Sequence, residues 1–255
     1  MDSRHSPWSV TSWNMHGSAR PDLHAVADAI RALGADVVAL QEIQRSQAST
    51  LAHLLGWRHA WARKHYPYSP FVWWRAEGHA ILTPHRLSDR ATWTLSQGWS
   101  TWTYRYRIML AATVSRSDGS SLRAYDLHLS SDDDPDETID QAGRAAAFVR
   151  GDRRLREAAT TFAVAGDFND EGLVETVRHF HLLGLVDRGS IPANPAVAPS
   201  RRIDHVLVPE EATVVEEHVP DISVAVMPHL AFGWPDLSDH LPVTIRFHHT
   251  PRPGS

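Results

Sequence analysis

Carboxylates, carboxamides and imidazoles stand at the ends of apolar runs in this chain. Val10-Thr11-Ser12-Trp13 leads into Asn14, and Val37-Val38-Ala39-Leu40 leads into Gln41-Glu42. Leu122 to Leu127 leads to His128, and Phe162 to Ala165 leads into Gly166-Asp167-Phe168-Asn169. Arg202-Ile203-Asp204-His205 and Ser238-Asp239-His240-Leu241-Pro242 carry the same residue types. Carboxylate oxygens suit a hard divalent cation. An imidazole beside a carboxylate has a fixed tautomer and a stabilised charged form. Such groups at the ends of neighbouring strands can meet in one cleft, where a rigid strand aims a side chain better than a loop does.

The surrounding pattern supplies those strands. Ser9 to Trp13 alternates and is rich in β-formers. From Pro21 the period changes: Leu23, Val26, Ala27, Ile30 and Leu33 share a helical face, with Gly34 as the stop. Asp36 to Leu40 reads as a buried strand, Gln47 to Leu55 as a helix, and Gly78 to Thr83 as a strand. Tyr104 to Ser115 and Ser121 to Leu129 form a strand pair around the Asp118-Gly119 turn. Thr138 to Ala159 and Gly172 to Leu183 read as helical. Thr161 to Ala165, Ile203 to Val208, Ser223 to Met227 and Pro242 to Phe247 read as strands. Strands outnumber helices, and several neighbours look antiparallel. The expected class is α/β: a four-layer α/β/β/α sandwich, two packed mixed β-sheets flanked by helices.

Composition narrows the function. The 255 residues contain no cysteine, which excludes disulfides, cysteine zinc sites and a thiolate nucleophile. The formal charge of −5 argues against a general duplex-DNA coater, although a local basic patch would suffice for binding. Residues 1–7 lack the apolar stretch of a secretory signal. No apolar run approaches the roughly 20 residues needed to span a bilayer, so a cytoplasmic protein is expected. Residues 1–8 are expected to be flexible, 9–249 to form a single domain, and 250–255 to be a disordered tail. Seventeen histidines raise a metal-storage reading. Many of them, such as His5, His53, His59, His248 and His249, lack ligand-like company and read as surface or packing residues.

Six segments occur in order: Ser12-Trp13-Asn14, Leu40-Gln41-Glu42-Ile43, Leu127-His128-Leu129, Gly166-Asp167-Phe168-Asn169, Arg202-Ile203-Asp204-His205 and Ser238-Asp239-His240-Leu241-Pro242. In this the chain resembles the endonuclease/exonuclease/phosphatase superfamily, with its DNase I-like fold, from Val10 to Phe247. The resemblance implies a divalent-metal-dependent phosphoester hydrolase using Mg²⁺, with Mn²⁺ as the alternative. It implies Glu42 as the leading metal ligand and Asp239 as a further one, with Asn14 touching the metal or bonding Glu42. By the same resemblance Asp167 positions or deprotonates the attacking water, and Asn169 holds the water or a phosphate oxygen. Asp204 orients His240 at the scissile phosphate, and His128 stabilises the transition state or protonates the leaving oxygen. Glu77 is a candidate carboxylate partner for His128. The plainer readings are a strand-end turn for Asn14, an Asx turn for Asp167 and a half-buried strand histidine for His128.

The substrate stays open among nucleic acid, phospholipid and small phosphoesters, because the catalytic set is shared across the superfamily. A lipid or inositol phosphodiesterase or phosphatase of the same fold is the alternative, and a non-catalytic binding module a further one. No protein partner is implied. Asp132, Asp133 and Asp134 read as a solvated acidic turn, or else as a second cation site. Trp102, Tyr104, Tyr106 and Ile108 would share one strand face, as core packing or as an aromatic wall for a base or lipid. Arg105 and Arg107 would face the other way, either toward a substrate phosphate or as an exposed sheet face. Arg144, Arg150, Arg153, Arg154 and Arg156 share no single helical face and read as solvated surface.

Overall fold

The apolar runs become strands that stack into two sheets. The computed structural model describes residues 6–66, 70–98, 101–103, 105–131, 135–156, 160–171, 174–223 and 233–249. Its strands are β1 (Trp8–Asn14), β2 (Val37–Gln44), β3 (Arg58–His65), β4 (Glu77–Thr83), β5 (Arg86–Thr94), β6 (Ile108–Ser115), β7 (Ser121–His128), β8 (Thr160–Asp167), β9 (Leu185–Asp187), β10 (Asp204–Pro209), β11 (Thr213–His218) and β12 (Val243–His248). Its helices are α1 (Leu23–Leu33), α2 (Arg45–Leu55), α3 (Pro135–Arg153) and α4 (Val174–His181). One sheet has the order β11-β12-β1-β2-β4-β3 and the other β5-β6-β7-β8-β10-β9. Each has one parallel pair at its centre, β1 with β2 and β7 with β8. The remaining neighbours in both sheets are antiparallel. The two sheets therefore repeat one plan of strand order and sense.

Three apolar clusters define the layers. Trp13, Val38 and Leu40 pack under α1 and α2 on the outside of the first sheet. Tyr125, Val164 and Leu207 pack under α3 and α4 on the outside of the second. Between the sheets lie Val10, Ala39, Ala60, Ala62, Ile81, Ala124, Ala163, Ala165 and Val206. This is the expected four-layer sandwich.

Local signals set the helix ends. Asp22 caps α1, accepting from the backbone N–H groups of His24 (2.8 Å) and Ala25 (3.3 Å), a contact worth about 1 kcal/mol. Gly34 ends α1 with a left-handed φ of 59°. Pro135 opens α3, with Asp136 and Glu137 in its first turn. No described helix is long and apolar enough to cross a membrane.

Four strands depart from the sequence expectation. Strands β5 and β11 are edge strands with largely exposed residues, so they lack a full apolar row. Strand β3 alternates alanine with charged residues, and β9 has only three residues. The strand expected from Tyr104 starts at Ile108, because residues 101–103 form a turn. Beyond its first residue, the strand expected over 223–227 lies outside the described residues, as do Tyr104 and Asp132 to Asp134.

Candidate active site

One rule locates the site. On strand after strand the row facing the opposite sheet is apolar at one end and turns polar at the other. Val10 is followed two residues apart by Ser12 and Asn14, and Ala39 by Gln41. Ala60 and Ala62 are followed by Lys64, and Ala163 and Ala165 by Asp167. Leu122 and Ala124 are followed by Asp126 and His128. The antiparallel strands run the other way: Ile81 is preceded by His79 and Glu77, and Val206 by Asp204. Given the strand senses, every one of these polar ends falls at the same end of the sandwich.

Backbone distortions aim the groups. The β2–β4 pairing carries a bulge between Leu40 and Ile43, and Glu42 sits in it at φ 52°. That lifts Glu42 out of the buried row, leaving its side chain 24% exposed. Asn169 (φ 51°), His16 (φ 42°) and Arg20 (φ 58°) are also left-handed. A non-glycine residue adopts this at a cost of about 1–2 kcal/mol, and such strain gathers at functional sites. Gly166 permits close strand packing, since a Cβ there would lie 2.0 Å from the Leu127 carbonyl oxygen.

The segment holding His240 is anchored to β1. The Trp13 indole N–H donates to the His240 carbonyl at 2.9 Å, and the Ser238 hydroxyl donates to the Asn14 carbonyl at 2.6 Å. The His240 N–H in turn donates to the Ser238 hydroxyl at 3.2 Å. This fixes the imidazole against Asp204, whose Oδ2 lies 2.6 Å from His240 Nδ1. Burial works against the charged ring, but the charge and hydrogen bond of Asp204, then Asp167 and Asp239, outweigh it. The pKa of His240 is raised to about 10.

Asp167 occupies the centre. Its Oδ2 accepts from the Asn14 carboxamide at 3.0 Å and lies 3.7 Å from His128 Nε2 and 3.9 Å from His240 Nε2. Its Oδ1 accepts the Asn169 backbone N–H at 2.9 Å, so the plain Asx turn is formed as well. Burial, and then the neighbouring Asp204, push its carboxyl up to about 7. His128 receives the Asn169 carboxamide on Nε2 at 3.0 Å, which puts its proton on Nδ1. Burial, then Arg107 and Lys64, hold His128 well below the usual imidazole range, so the ring is neutral. The carboxylate beside its Nδ1 is Glu42, at 3.7 Å, in the place foreseen for Glu77.

The three expected cation ligands are not bonded to one another. Asn14 gives its N–H to Asp167 and its oxygen to the His16 backbone, rather than bonding Glu42. Asp239 lies 3.4 Å from His16 and is 54% exposed. The side chains of Glu42 and Asp239 are partly exposed, 24% and 54%, and carboxylates are the hard donor type that a divalent cation takes. Asp167, Asp204 and His240 also bring donor atoms within 4.8 Å of one another. Within this trio the Asp204–His240 contact has the geometry of an ion pair. A cavity of about 550 Å³ opens beside Asp239, His16, Arg20, Asp22 and Pro195.

Several site groups escaped the sequence reading. Lys64 is 3% exposed; Arg107, expected either toward a substrate phosphate or on an exposed sheet face, is 5% exposed, so the exposed face is not what it occupies. Gln41 donates to Asp126 Oδ1 at 2.7 Å, and His79 Nδ1 lies 3.3 Å from the same oxygen, forming a fully buried floor under the site. The i, i+2 continuation of each apolar row would have found Lys64, His79 and Asp126. The expected aromatic strand face is not formed. Trp102 stands in the 101–103 turn, stacked on Tyr66 at 4.6 Å, and Tyr106 pairs its hydroxyl with Thr94 at 2.6 Å. The arginines of α3 and the turn after it are not all solvated either, since Arg156 pairs with Asp152 at 2.6 Å.

Comparison with known proteins agrees with this architecture. The sequence profile described as the Endonuclease/Exonuclease/phosphatase family matches residues 11–240. Among curated proteins no sequence matches the chain. An endonuclease/exonuclease/phosphatase from Beutenbergia cavernae superimposes with a TM-score of 0.73 at 19% identity, over 96% of this chain and 72% of that one. A mannosyl-6-phosphatase from Bacteroides thetaiotaomicron also gives 0.73 at 19% identity, over 95% and 100%. The human Nocturnin catalytic domain with bound sulfate gives 0.71 at 20% identity, over 98% and 96%.

Proposed function

We propose that this chain, which belongs to the endonuclease/exonuclease/phosphatase family, is a divalent-metal-dependent phosphoester hydrolase. The observation that carries the reading is the position of Asp167 between two imidazoles, its Oδ2 3.7 Å from His128 Nε2 and 3.9 Å from His240 Nε2. His240 keeps both protons, and His128 keeps one. An acid with a pKa near neutrality beside a fixed cation suits removal of a proton from water.

The residue roles follow from those states. Asp167 orients the attacking water and accepts its proton, with Asn14 and the Asn169 backbone holding the carboxylate in place. His240, as an imidazolium backed by Asp204, donates from Nε2 to a phosphate oxygen and stabilises its developing charge. Neutral His128 donates to a second oxygen from Nδ1, on the side of Glu42, and the Asn169 carboxamide, which donates to His128 Nε2 and the Leu129 carbonyl, fixes the ring in that orientation. Glu42 and Asp239 would hold the metal, Mg²⁺ or Mn²⁺, with Asn14 at its edge. A divalent cation bound there supplies charge neutralisation at the phosphate.

The test is hydrolysis of a phosphoester panel by purified protein with Mg²⁺ or Mn²⁺, with and without EDTA. The panel includes p-nitrophenyl phosphate and bis(p-nitrophenyl) phosphate. Metal-dependent turnover of at least one ester is expected. Absence of hydrolysis across the panel would overturn the reading.

A further inference from the structure

The cavity of about 550 Å³ beside Asp239 has no part in the roles above. Three separate segments wall it, at residues 16–22, 195–197 and 235–239. Each is fastened to the candidate active site. The His16 backbone N–H donates to Asn14 Oδ1 at 3.1 Å, and the Gln47 carboxamide donates to the Gly17 carbonyl at 2.9 Å. The Ala196 N–H donates to the Asp239 carbonyl at 2.7 Å. In the third segment, Ser238 and Asp239 belong both to the cavity wall and to the stretch that carries His240. The cavity is therefore built into the same framework as the site.

Its surface chemistry is selective. Ala19, Pro21, Pro195, Val197, Pro235 and Leu237 give it apolar walls, and the prolines make them stiff. Two of its carboxylates are already engaged. Asp22 caps α1, and Asp236 accepts the Gly233 N–H at 2.7 Å. A groove that follows a nucleic-acid strand is lined by cations that meet successive phosphates. Here the basic residues are His16 and Arg20, and Asp22, Asp236 and Asp239 outnumber them.

We propose that this cavity receives the alcohol portion of a small phosphoester, a compact group with an apolar face such as an aryl ring. The proposal rests on the phosphoester reading and narrows its substrate class. With the phosphate at Asp167 and His240, the organic part of the ester must lie against an adjoining surface. The wall at Asp239 is one residue from His240. The volume falls within the roughly 300–1,000 Å³ of small-molecule pockets, which are mainly apolar with a few polar groups. Walls that are already in place bind such a group with little ordering cost.

The experiment measures binding of phenylphosphonate and methylphosphonate by calorimetry, with Mg²⁺ and the full chain. The two probes share the phosphoryl group, differ in the organic part and resist hydrolysis. The wild type is compared with Ala19→Trp and Val197→Trp, each of which places an indole in the cavity from an exposed wall position. The wild type is expected to bind phenylphosphonate about tenfold or more tightly than methylphosphonate. Either tryptophan should bring that ratio toward one. A wild-type ratio near one overturns the proposal, and so does absence of binding of both probes. A ratio that survives both substitutions puts the aryl group elsewhere and also overturns it. If one variant does not fold, the other decides; if neither folds, the wild-type ratio decides. Turnover of p-nitrophenyl phosphate is scored separately. A phosphonate preference without turnover keeps the cavity assignment while the hydrolase reading fails. Turnover without the preference does the reverse.

Discussion

Asp204 and His240 meet at 2.6 Å although they belong to opposite halves of the sandwich. Asp204 opens β10 of one sheet, and His240 stands just before β12 of the other. Their ion pair fastens the two sheets together at the mouth of the cleft. Asp204→Asn removes the charge that keeps His240 protonated. We expect turnover to fall by about 10²-fold or more. The alkaline limb of the kcat profile should also move down from near pH 10 toward neutrality. An unshifted limb would mean that His240 owes its charge to other groups.

Asp167→Asn preserves the shape of the side chain and removes its basicity. A loss of at least about 10²-fold is expected, in kcat more than in KM, because the proton is taken in the transition state. The Asx turn to Asn169 survives in the amide, so thermal stability should not collapse. A change confined to KM would assign Asp167 to substrate binding instead.

Removal of the metal with EDTA should abolish activity, and added Mg²⁺ or Mn²⁺ should restore it. Glu42→Ala should weaken metal binding in a calorimetric titration more than Asn14→Ala does, since the Asn14 carboxamide is engaged by Asp167 and the His16 backbone. Equal losses in the two variants would place Asn14 among the direct ligands.

Lys64 carries a pH signature in the metal-free protein. Its folded pKa of about 7 lies below the ordinary lysine value of 10.5. For a base with a lowered folded pKa, stability rises with pH. The penalty is absent above about 10.5, grows as pH falls, and is complete below about 7. Lys64→Met should therefore raise the melting temperature more at pH 6 than at pH 9. The opposite trend would show that the ammonium is well compensated in the folded state.

Gly78→Ala should damage both fold and activity. A Cβ there would lie 1.9 Å from the Ala62 carbonyl oxygen, on backbone that cannot swing away. Overpacking of this kind costs about 1–3 kcal/mol or more. The displaced strands carry Lys64 and Glu77, so phosphoester turnover should fall with the stability measured by urea denaturation. A stability change under about 0.5 kcal/mol would mean that β3 and β4 part easily.

The central strands were legible because they are buried on both faces and end in short polar signatures. Asn14, Glu42, His128 and Asp167 could be read that way. The edge strands β5 and β11 were not, since solvent on their faces removes the apolar alternation. Lys64 was missed because a lysine after alternating alanines reads as an ordinary exposed residue until β3 is known to face the cleft. The sequence points Asn14 to Glu42 or to the metal, whereas its side-chain hydrogen bond goes to Asp167, which comes from the other sheet. That pairing depends on how the sheets stack, which no local pattern records. The aromatic face around Trp102 failed because a turn replaced the strand that its spacing assumed.

The repeated strand plan has a consequence for the newborn chain. Strand β1 is made early, yet its partner β12 follows every other strand described here, and His240 arrives with it. A ribosome-bound chain that has not yet released β12 holds β1 as an open edge and lacks the imidazolium. The Asp204–His240 pair therefore cannot form while this segment is still being translated.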